Sequence, residues 1–238
     1  MTGGWKAKRF WREVTVIEAD HGWQVLLDAR PVRTPAKAAM DLPTEAMARA
    51  VAEEWEVVGD EIDPRRMPVT RSANSAIDRV LPQRDEVAGM LAAYAETDLL
   101  CHRAESPEAL VLRQAEGWDP LLDWAAEAYD ARLVPTAGIL PVAQPEASLA
   151  RLDAAVRGHD VFRLTALHDL VTLSGSLILG LAVAEGRIEP TTGWRLSRID
   201  EDWQIEQWGA DEEAEEAAAF KLEQFLHASR FWSLSSES

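Results

Sequence analysis

The chain has 238 residues, of which 47% are hydrophobic, so it is long enough to bury a core as one large domain or two modest ones. Its formal net charge of -17 at pH 7 repels phosphate backbones and anionic membranes, which argues against nucleic acid and lipid as partners. The single cysteine, Cys101, excludes an intramolecular disulfide and a thiolate metal cage.

The first elements predicted along the chain are short strands. Segments such as REVTVIEA and WQVLLDAR within residues 10–42 alternate apolar and polar side chains, and a turn at His21-Gly22 separates them. The sequence PTE that follows predicts a helix with Thr44 as its N-cap. One apolar stripe at helical spacing continues from there and consists of Met47, Val51, Trp55 and Val58.

From Thr70 onward the apolar residues follow a helical period. The predicted helical segments are 71–81, 83–96, 107–129, 144–156, 161–185, 190–208 and 211–231. We therefore expect an α+β fold, with a small domain of short antiparallel strands plus a helix over residues 1–75 and a larger all-α domain over residues 76–238. The uncharged run at 170–184 is shorter than the ~18–20 apolar residues that cross a bilayer, so it predicts a buried core helix.

Three side chains in segment 161–185 invite a hydrolase interpretation. Ser174, His168 and Asp169 are the residue types of a nucleophile, its general base and an orienting acid. The serine stands in LSGSL rather than in a G-x-S-x-G turn, and helical spacing places it nearly opposite His168. A small hydrolase built on these three residues is therefore the alternative hypothesis, and packing is the preferred role.

The sequence carries no signature of a metal, cofactor or small-molecule site. Its histidines form neither an H-x-x-x-H nor an H-E-x-x-H pair, and both the P-loop and the G-x-G-x-x-G motif are absent. We predict no metal, no cofactor, no small-molecule substrate and no enzymatic activity. Small side chains recur every fourth residue in the predicted core helix, which makes Ser176 and Gly180 predicted structural residues for close helix packing.

The segment 190–208 has two apolar stripes rather than one. On a helical wheel Leu196, Ile199 and Trp203 share one face, and Trp194, Ile205 and Trp208 share the opposite face. Two opposed stripes predict either a helix sandwiched in the core or a helix with one face offered to a partner. The like-charged pair Asp202 and Glu206 needs relief from Arg198 or from a partner's cation.

A set of longer segments resembles the F1-ATPase assembly chaperones, which bind the unassembled α subunit of the ATP synthase catalytic head. The segments are KRFWREVTV, LLDARPVRTPAK, LPTEAMARAVAEEW, RSANSAIDRV, YAETDLLCHRA, WDPLLDWA, HDLVTLSGSLILGLAVAEG and EDWQIEQWG. They run in order over nearly the whole chain. The resemblance implies a small α+β domain followed by a larger helical domain, and a chaperone rather than an enzyme.

Some residues carry over from the family's motifs. The tryptophan that ends the EEW segment matches Trp55, and the family's acidic cluster matches Asp200, Glu201 and Asp202. The resemblance implies that Trp55 packs structurally and that the cluster contacts the client. We also expect a bacterial cytoplasmic member, because the KRFW segment begins close to Met1 and leaves no room for a presequence.

The preferred hypothesis is reversible binding of the free α subunit, whose apolar interface the chaperone shields until β subunits replace it. We predict client contacts at six residues of the C-terminal region, namely Asp200, Glu201, Asp202, Ile205, Glu206 and Trp208. Trp203 is predicted to be structural. A generic protein-interaction module with another client is the second alternative.

Overall fold

The computed structural model describes residues 8–138 and 142–236, and within them strands precede a mostly helical region, which confirms the predicted α+β class. The chain divides into two compact units. The first unit contains Met1–Arg84, Val161–Thr165 and Arg230–Ser238, and the second contains Asp85–Asp160 and Ala166–Ser229. The division of the chain at residues 75 and 76 stays a prediction.

The sheet of the first unit is antiparallel and has the strand order β1, β2, β3. β1 spans Val14–Ala19, β2 spans Gly22–Leu27 and β3 spans Arg30–Pro31. β1 pairs with β2 from Val14 opposite Leu27 to Ala19 opposite Gly22, which places the turn at residues 20–21. The turn thus lies one residue earlier than the predicted His21-Gly22, and Gly22 belongs to β2. The apolar residues of β2 alternate into the core, where Val25 is buried.

The first helix, α1, spans Glu45–Glu56 and begins where the sequence predicts. The Thr44 side chain accepts a hydrogen bond from the amide of Met47 at 3.1 Å and so caps the helix. Its hydroxyl also donates to the carbonyl of Leu234. Met47 and Val51 are fully buried.

Trp55, predicted to be structural, is half-buried at the end of α1. Its ring meets the ring of Trp11 edge to face, with centroids 5.2 Å apart and an interplanar angle of 65°. Trp11 itself is 3% exposed. The pair therefore ties the segment before β1 to α1 within the first unit.

The helix after α1 begins earlier than predicted. α2 spans Pro68–Ser75 and continues into a π-helical turn over Ala76–Val80 and a 3-10 turn over Leu81–Gln83. The side chain of Glu54 caps its first turn by accepting from the amides of Val69 at 2.7 Å and Thr70 at 2.8 Å. A carboxylate from α1 thus supplies the cap that the local sequence lacks.

Eight further α-helices and two short strands follow within the described residues. The helices are α3 (Arg84–Ala92), α4 (Glu108–Ala128), α5 (Glu146–Arg157), α6 (Val161–Ser174), α7 (Leu177–Ala184), α8 (Pro190–Ser197), α9 (Ile199–Trp208) and α10 (Glu212–Leu234). β4 (His102–Arg103) and β5 (Thr136–Ala137) pair in parallel. Among the described residues no helix is long and apolar enough to cross a membrane.

The prediction of one continuous helix over 161–185 is wrong. Gly175 has a φ of +73°, a conformation that side chains rarely adopt, and it separates α6 from α7. Ser176 is extended and caps α7 by accepting from the amide of Leu179 at 2.9 Å. It is therefore an N-cap rather than a small residue on a continuous packing stripe.

Gly180 does lie at a close approach. A Cβ atom at this position would come within 2.7 Å of Cγ2 and 3.3 Å of the amide nitrogen of Val171 on α6. The turn at Gly175 brings α7 back against α6, and the missing side chain of Gly180 lets the two backbones come close. Every residue of α7 is buried.

The prediction of one helix over 190–208 is also wrong. Arg198 has φ -115° and ψ 15°, and it ends α8 before α9 begins at Ile199. Trp194 of α8 is buried and packs 5.7 Å from the ring of Phe225. α9 instead buries only Ile199 and leaves its other side chains half-buried or exposed. α8 therefore places Trp194 in the core and α9 is largely exposed, while a partner on α9 stays a prediction.

Candidate functional site

The six residues predicted to contact a client all lie on α9, the exposed half of the split segment. Trp208, its last residue, is 79% exposed, more than any other large apolar side chain among the described residues. A tryptophan that stays in water exposes a large apolar area that other folded proteins usually bury. α9 is therefore a candidate binding surface on structural grounds.

An open groove of about 380 Å³ runs beside this helix. Its lining on the α9 side consists of Asp200, Trp203, Gln204 and Trp208. The opposite lining comes from β4, the loop after it and α4, and includes Arg103, Pro107, Leu110 and Gln114. Apolar surfaces from tryptophan, proline and leucine thus alternate with a few polar groups, as in many binding sites.

The structure separates the six predicted residues into two groups. Asp200 and Trp208 line the groove, whereas Glu201, Asp202, Ile205 and Glu206 lie on α9 outside its lining. Trp203, which the sequence predicts to be structural, also lines the groove and is only half-buried. The roles of all these residues in binding stay predictions.

Asp200 is held at the groove by a buried amide. Its carboxylate accepts a hydrogen bond from Nε2 of Gln114 at 2.6 Å. Gln114 is 1% exposed, and its Oε1 accepts from the amide of Ala104 at 2.8 Å. The chain from Ala104 to Gln114 to Asp200 fixes the position of the carboxylate, because each group in it has one orientation that satisfies its partner.

Glu206 forms an ion pair with a residue of α4. Both carboxylate oxygens accept from the guanidinium of Arg113, at 2.8 Å and 2.9 Å. These hydrogen bonds hold the pKa of Glu206 below its usual value. The same guanidinium lies over the ring of Trp203, 5.1 Å from its centroid, so one arginine contacts both side chains.

Asp202 forms an ion pair with the residue that ends α8. Nε of Arg198 lies 3.4 Å from Oδ1 of Asp202. The repulsion predicted between Asp202 and Glu206 is therefore relieved inside the chain, by Arg198 as expected and by Arg113, which the sequence did not suggest. Glu201 is exposed and forms no ion pair within the described part of the chain.

A second polar cluster lies away from the groove and is buried. Asp98 is fully buried and accepts from the hydroxyl of Ser176 at 2.6 Å, and from the amides of Ile178 at 3.1 Å and Leu100 at 3.0 Å. Burial raises the pKa of Asp98, while these hydrogen bonds oppose the rise. The cluster anchors the start of α7 and carries a structural role.

Sequence reasoning missed the residues that α4 and β4 bring to the groove. Gln114 is 86 positions from Asp200, and Arg113 is 93 positions from Glu206. Neither residue stands in a motif, and no local pattern relates positions so far apart. A heptad or helical wheel describes one helix at a time, so it contains no information on which second helix packs beside it.

Comparison with known proteins decides the family. The family model described as "ATP12 chaperone protein" matches residues 8–126, which is half of the chain. The chain belongs to the ATP12 chaperone family.

The solved structure of Atp12 from Paracoccus denitrificans is 57% identical, with a TM-score of 0.95 and coverage of 97% of this chain and 99% of that one. The D202K mutant of the Paracoccus protein, numbered as in that protein, gives the same identity and TM-score and covers 97% and 98%. The protein named "atp12, mitochondrial" from Schizosaccharomyces pombe is 22% identical over an alignment of 223 residues, and the match covers 88% of this chain and 76% of that protein. The fold of this ATP12-family chain is thus that of a solved family member over almost its full length.

In this ATP12-family chain, the three residues of the alternative hydrolase hypothesis do not have the geometry of a catalytic triad. The hydroxyl of Ser174 is buried and donates to the carbonyl of Leu170 on its own helix at 2.7 Å. His168 has a side chain that is 43% exposed, and its Nδ1 lies 2.9 Å from a carboxylate oxygen of Asp169. The serine is therefore bonded to the backbone inside the core, while the histidine and aspartate pair at the surface.

Potential metal ligands do not cluster within the described residues of this ATP12-family chain. Over residues 8–138 and 142–236, no group of three or more histidine, cysteine, aspartate or glutamate side chains is placed to hold an ion. Cys101, a neighbour of Asp98, is buried, and burial raises the pKa of its thiol to about 12. At that pKa the side chain stays a thiol at neutral pH and is a poor nucleophile.

Proposed function

We propose that this chain assists assembly of the F1 catalytic head of ATP synthase by binding the unassembled α subunit. The chaperone shields an apolar interface of the client until β subunits replace it. Membership of the ATP12 chaperone family supports the chaperone role. The segments that resemble F1-ATPase assembly chaperones support the choice of client.

The groove and its exposed tryptophan are the observation that carries the proposal. An interface gains most of its binding energy from a few aromatic and arginine side chains near its centre. Trp208, 79% exposed, is such a side chain, and Pro107 and Leu110 supply apolar surface on the opposite wall. Binding here leaves the client unmodified, as a chaperone requires.

The carboxylates of α9 add orientation rather than most of the affinity. Glu201 is exposed and lies one residue from Asp200 at the groove, so it presents a charge to an approaching client. Together with the net charge of -17, this speeds encounter with a basic surface. Asp202, Ile205 and Glu206 extend the contact surface along the same helix.

The test compares two exposed aromatic residues. Trp208→Ser removes the aromatic side chain at the groove, and Phe220→Ser removes one from α10 that is 62% exposed and outside the groove lining. We expect Trp208→Ser to lower affinity for purified, unassembled α subunit at least tenfold, which corresponds to ~1.4 kcal/mol. Phe220→Ser leaves the affinity unchanged, and equal effects of the two variants would contradict a role for the groove.

Two further measurements test how the client is released and which protein it is. Adding β subunits to the preformed complex should free the chaperone, because both proteins compete for one interface of the α subunit. A pull-down from a lysate that contains ATP synthase subunits, read by mass spectrometry, identifies the client. Recovery of another protein in place of the α subunit would favour the generic interaction module.

We also propose that this chain works in the cytoplasm of a bacterium. The Atp12 structure that is 57% identical to this chain comes from a bacterium, Paracoccus denitrificans, whereas the fission yeast relative is named mitochondrial. Fractionation of cells that express the tagged chain would test this location directly. Recovery in a membrane or an exported fraction would contradict it.

A further inference from the structure

Asp200 is a carboxylate that a neutral side chain holds in position. Its carboxylate accepts a hydrogen bond from the neutral amide of Gln114, so its negative charge is oriented but not neutralised. Over the part of the chain that the structure describes, no lysine or arginine forms an ion pair with it. A half-buried carboxylate in this state has lost part of its hydration, and a cation from outside would compensate it.

The arginines near the groove are held by other acids. Nη2 of Arg103, which lines the groove, lies 2.7 Å from Oδ1 of Asp119, and the Arg103 side chain is 11% exposed. Arg113 is bonded to Glu206, and Arg198 pairs with Asp202. Their charges are therefore offset locally, and the carboxylate of Asp200 is available to a ligand.

α9 already binds one arginine through a tryptophan ring and a carboxylate three residues away. Arg113 lies over the ring of Trp203 and donates two hydrogen bonds to Glu206, three residues after that tryptophan. Asp200 stands three residues before Trp203, so it has the same helical separation from the ring in the other direction. Glu206 has its arginine from α4, whereas Asp200 and Trp203 face the groove.

We propose that the groove binds an arginine side chain of the client, with Asp200 as its counter-ion and the Trp203 ring as its apolar support. The inference rests on the proposed function, which supplies the client. A guanidinium fits because it is planar, donates two parallel hydrogen bonds and packs on aromatic rings. A lysine ammonium has neither the plane nor the paired donors.

The position of Trp208 adds a second requirement for the client segment that would bind in the groove. It lies eight residues after Asp200 on α9, a separation of ~12 Å along a helix axis. Three or four residues of an extended chain cover ~12 Å. The expected client segment therefore carries an arginine and a large apolar residue three or four positions apart, with the apolar side chain on Trp208.

The experiment uses synthetic peptides tiled over the α subunit as probes of the full-length chaperone. Each bound peptide is remade with citrulline, which keeps the shape of arginine without its charge. Affinity for wild type and for Asp200→Asn is measured for both forms. Asparagine retains an oxygen that accepts from Gln114, and Glu213→Gln removes an exposed carboxylate of α10 as the matched control.

We expect at least one peptide to lose tenfold or more in affinity when its arginine becomes citrulline. In Asp200→Asn the arginine and citrulline forms then bind equally, while Glu213→Gln keeps the wild-type difference. The citrulline comparison on wild type needs no variant, so an absence of any response to citrulline overturns the inference even if Asp200→Asn folds poorly.

Two results overturn the inference. One is that no bound peptide responds to citrulline, and the other is that Asp200→Asn keeps the difference between the two forms. If the wild-type chain still captures intact α subunit in either case, only the arginine site fails. If the wild type does not capture the α subunit at all, the proposed function fails with it.

Discussion

Arg113 and Glu206 join α4 to α9 through two hydrogen bonds of 2.8 Å and 2.9 Å between one guanidinium and one carboxylate. The guanidinium of Arg113 also lies over the ring of Trp203, which lines the groove. Such bidentate geometry fixes orientation as well as distance. The electrostatics of α9 therefore depend on a residue of another helix.

The first prediction concerns the pKa of Glu206. We expect the pKa of its carboxyl to lie below the usual value for glutamate, and to return toward that usual value in Arg113→Gln, because the variant removes the stabilising guanidinium. Carbon-13 NMR of the side-chain carboxyl against pH measures both. Arg151→Gln, which removes a partner of Asp130, is the control and leaves the Glu206 midpoint unchanged.

The sign of the linked stability follows from the lowered pKa. A carboxyl that is more acidic in the folded state stabilises the fold above its unfolded pKa. That contribution is lost as the pH falls through the folded pKa, so it disappears only in acid. A Glu206 midpoint that is the same with and without Arg113 would contradict the ion pair in solution.

The second prediction concerns the buried carboxylate Asp98. Asp98→Asn places an amide NH2 where one oxygen accepted from the backbone, so a buried donor such as the amide of Ile178 loses its acceptor. We expect the free energy of unfolding to fall by about 1–3 kcal/mol. Urea titration followed by circular dichroism measures it, with the exposed Glu216→Gln as control. An unchanged midpoint in Asp98→Asn would show that the cluster tolerates an amide.

The third prediction concerns the close approach at Gly180. Gly180→Ala gains helix propensity worth up to ~1 kcal/mol, but its Cβ would lie 2.7 Å from Cγ2 of Val171. Overpacking of this kind costs about 1–3 kcal/mol, so we expect net destabilisation. Gly59→Ala, which meets nothing within 4 Å, is the matched control. A thermal melt of Gly180→Ala at or above wild type would mean that Val171 moves aside freely.

The fourth prediction compares two tryptophans. Trp55→Ala removes a half-buried ring that packs on Trp11, and we expect it to lower the free energy of unfolding by about 1–3 kcal/mol. Trp208→Ala removes a ring that is 79% exposed and changes stability by no more than ~0.5 kcal/mol. Denaturant titration of the two variants side by side provides the measurement. Equal losses would contradict the difference in burial.

Local patterns predicted local structure well in this chain. The cap at Thr44 and the apolar stripe of α1 follow from short-range rules, since the groups involved are within one or two turns of each other. The break at Gly175 also had a local signal, because serine, glycine and serine in succession suit a helix end followed by a cap. The break at Arg198 had none, since arginine is a good helix former.

The sequence by itself determined the α+β class, the family and the presence of an unusual tryptophan-rich acidic segment. Only the tertiary structure decided which carboxylates of that segment are paired with a cation of the same chain. Glu206 is neutralised by Arg113, 93 positions away, while Asp200 is oriented by Gln114, 86 positions away, and keeps its charge at a groove. Helical periodicity depends on neighbours along the chain, whereas the availability of a charge depends on whichever side chain packs against it in space.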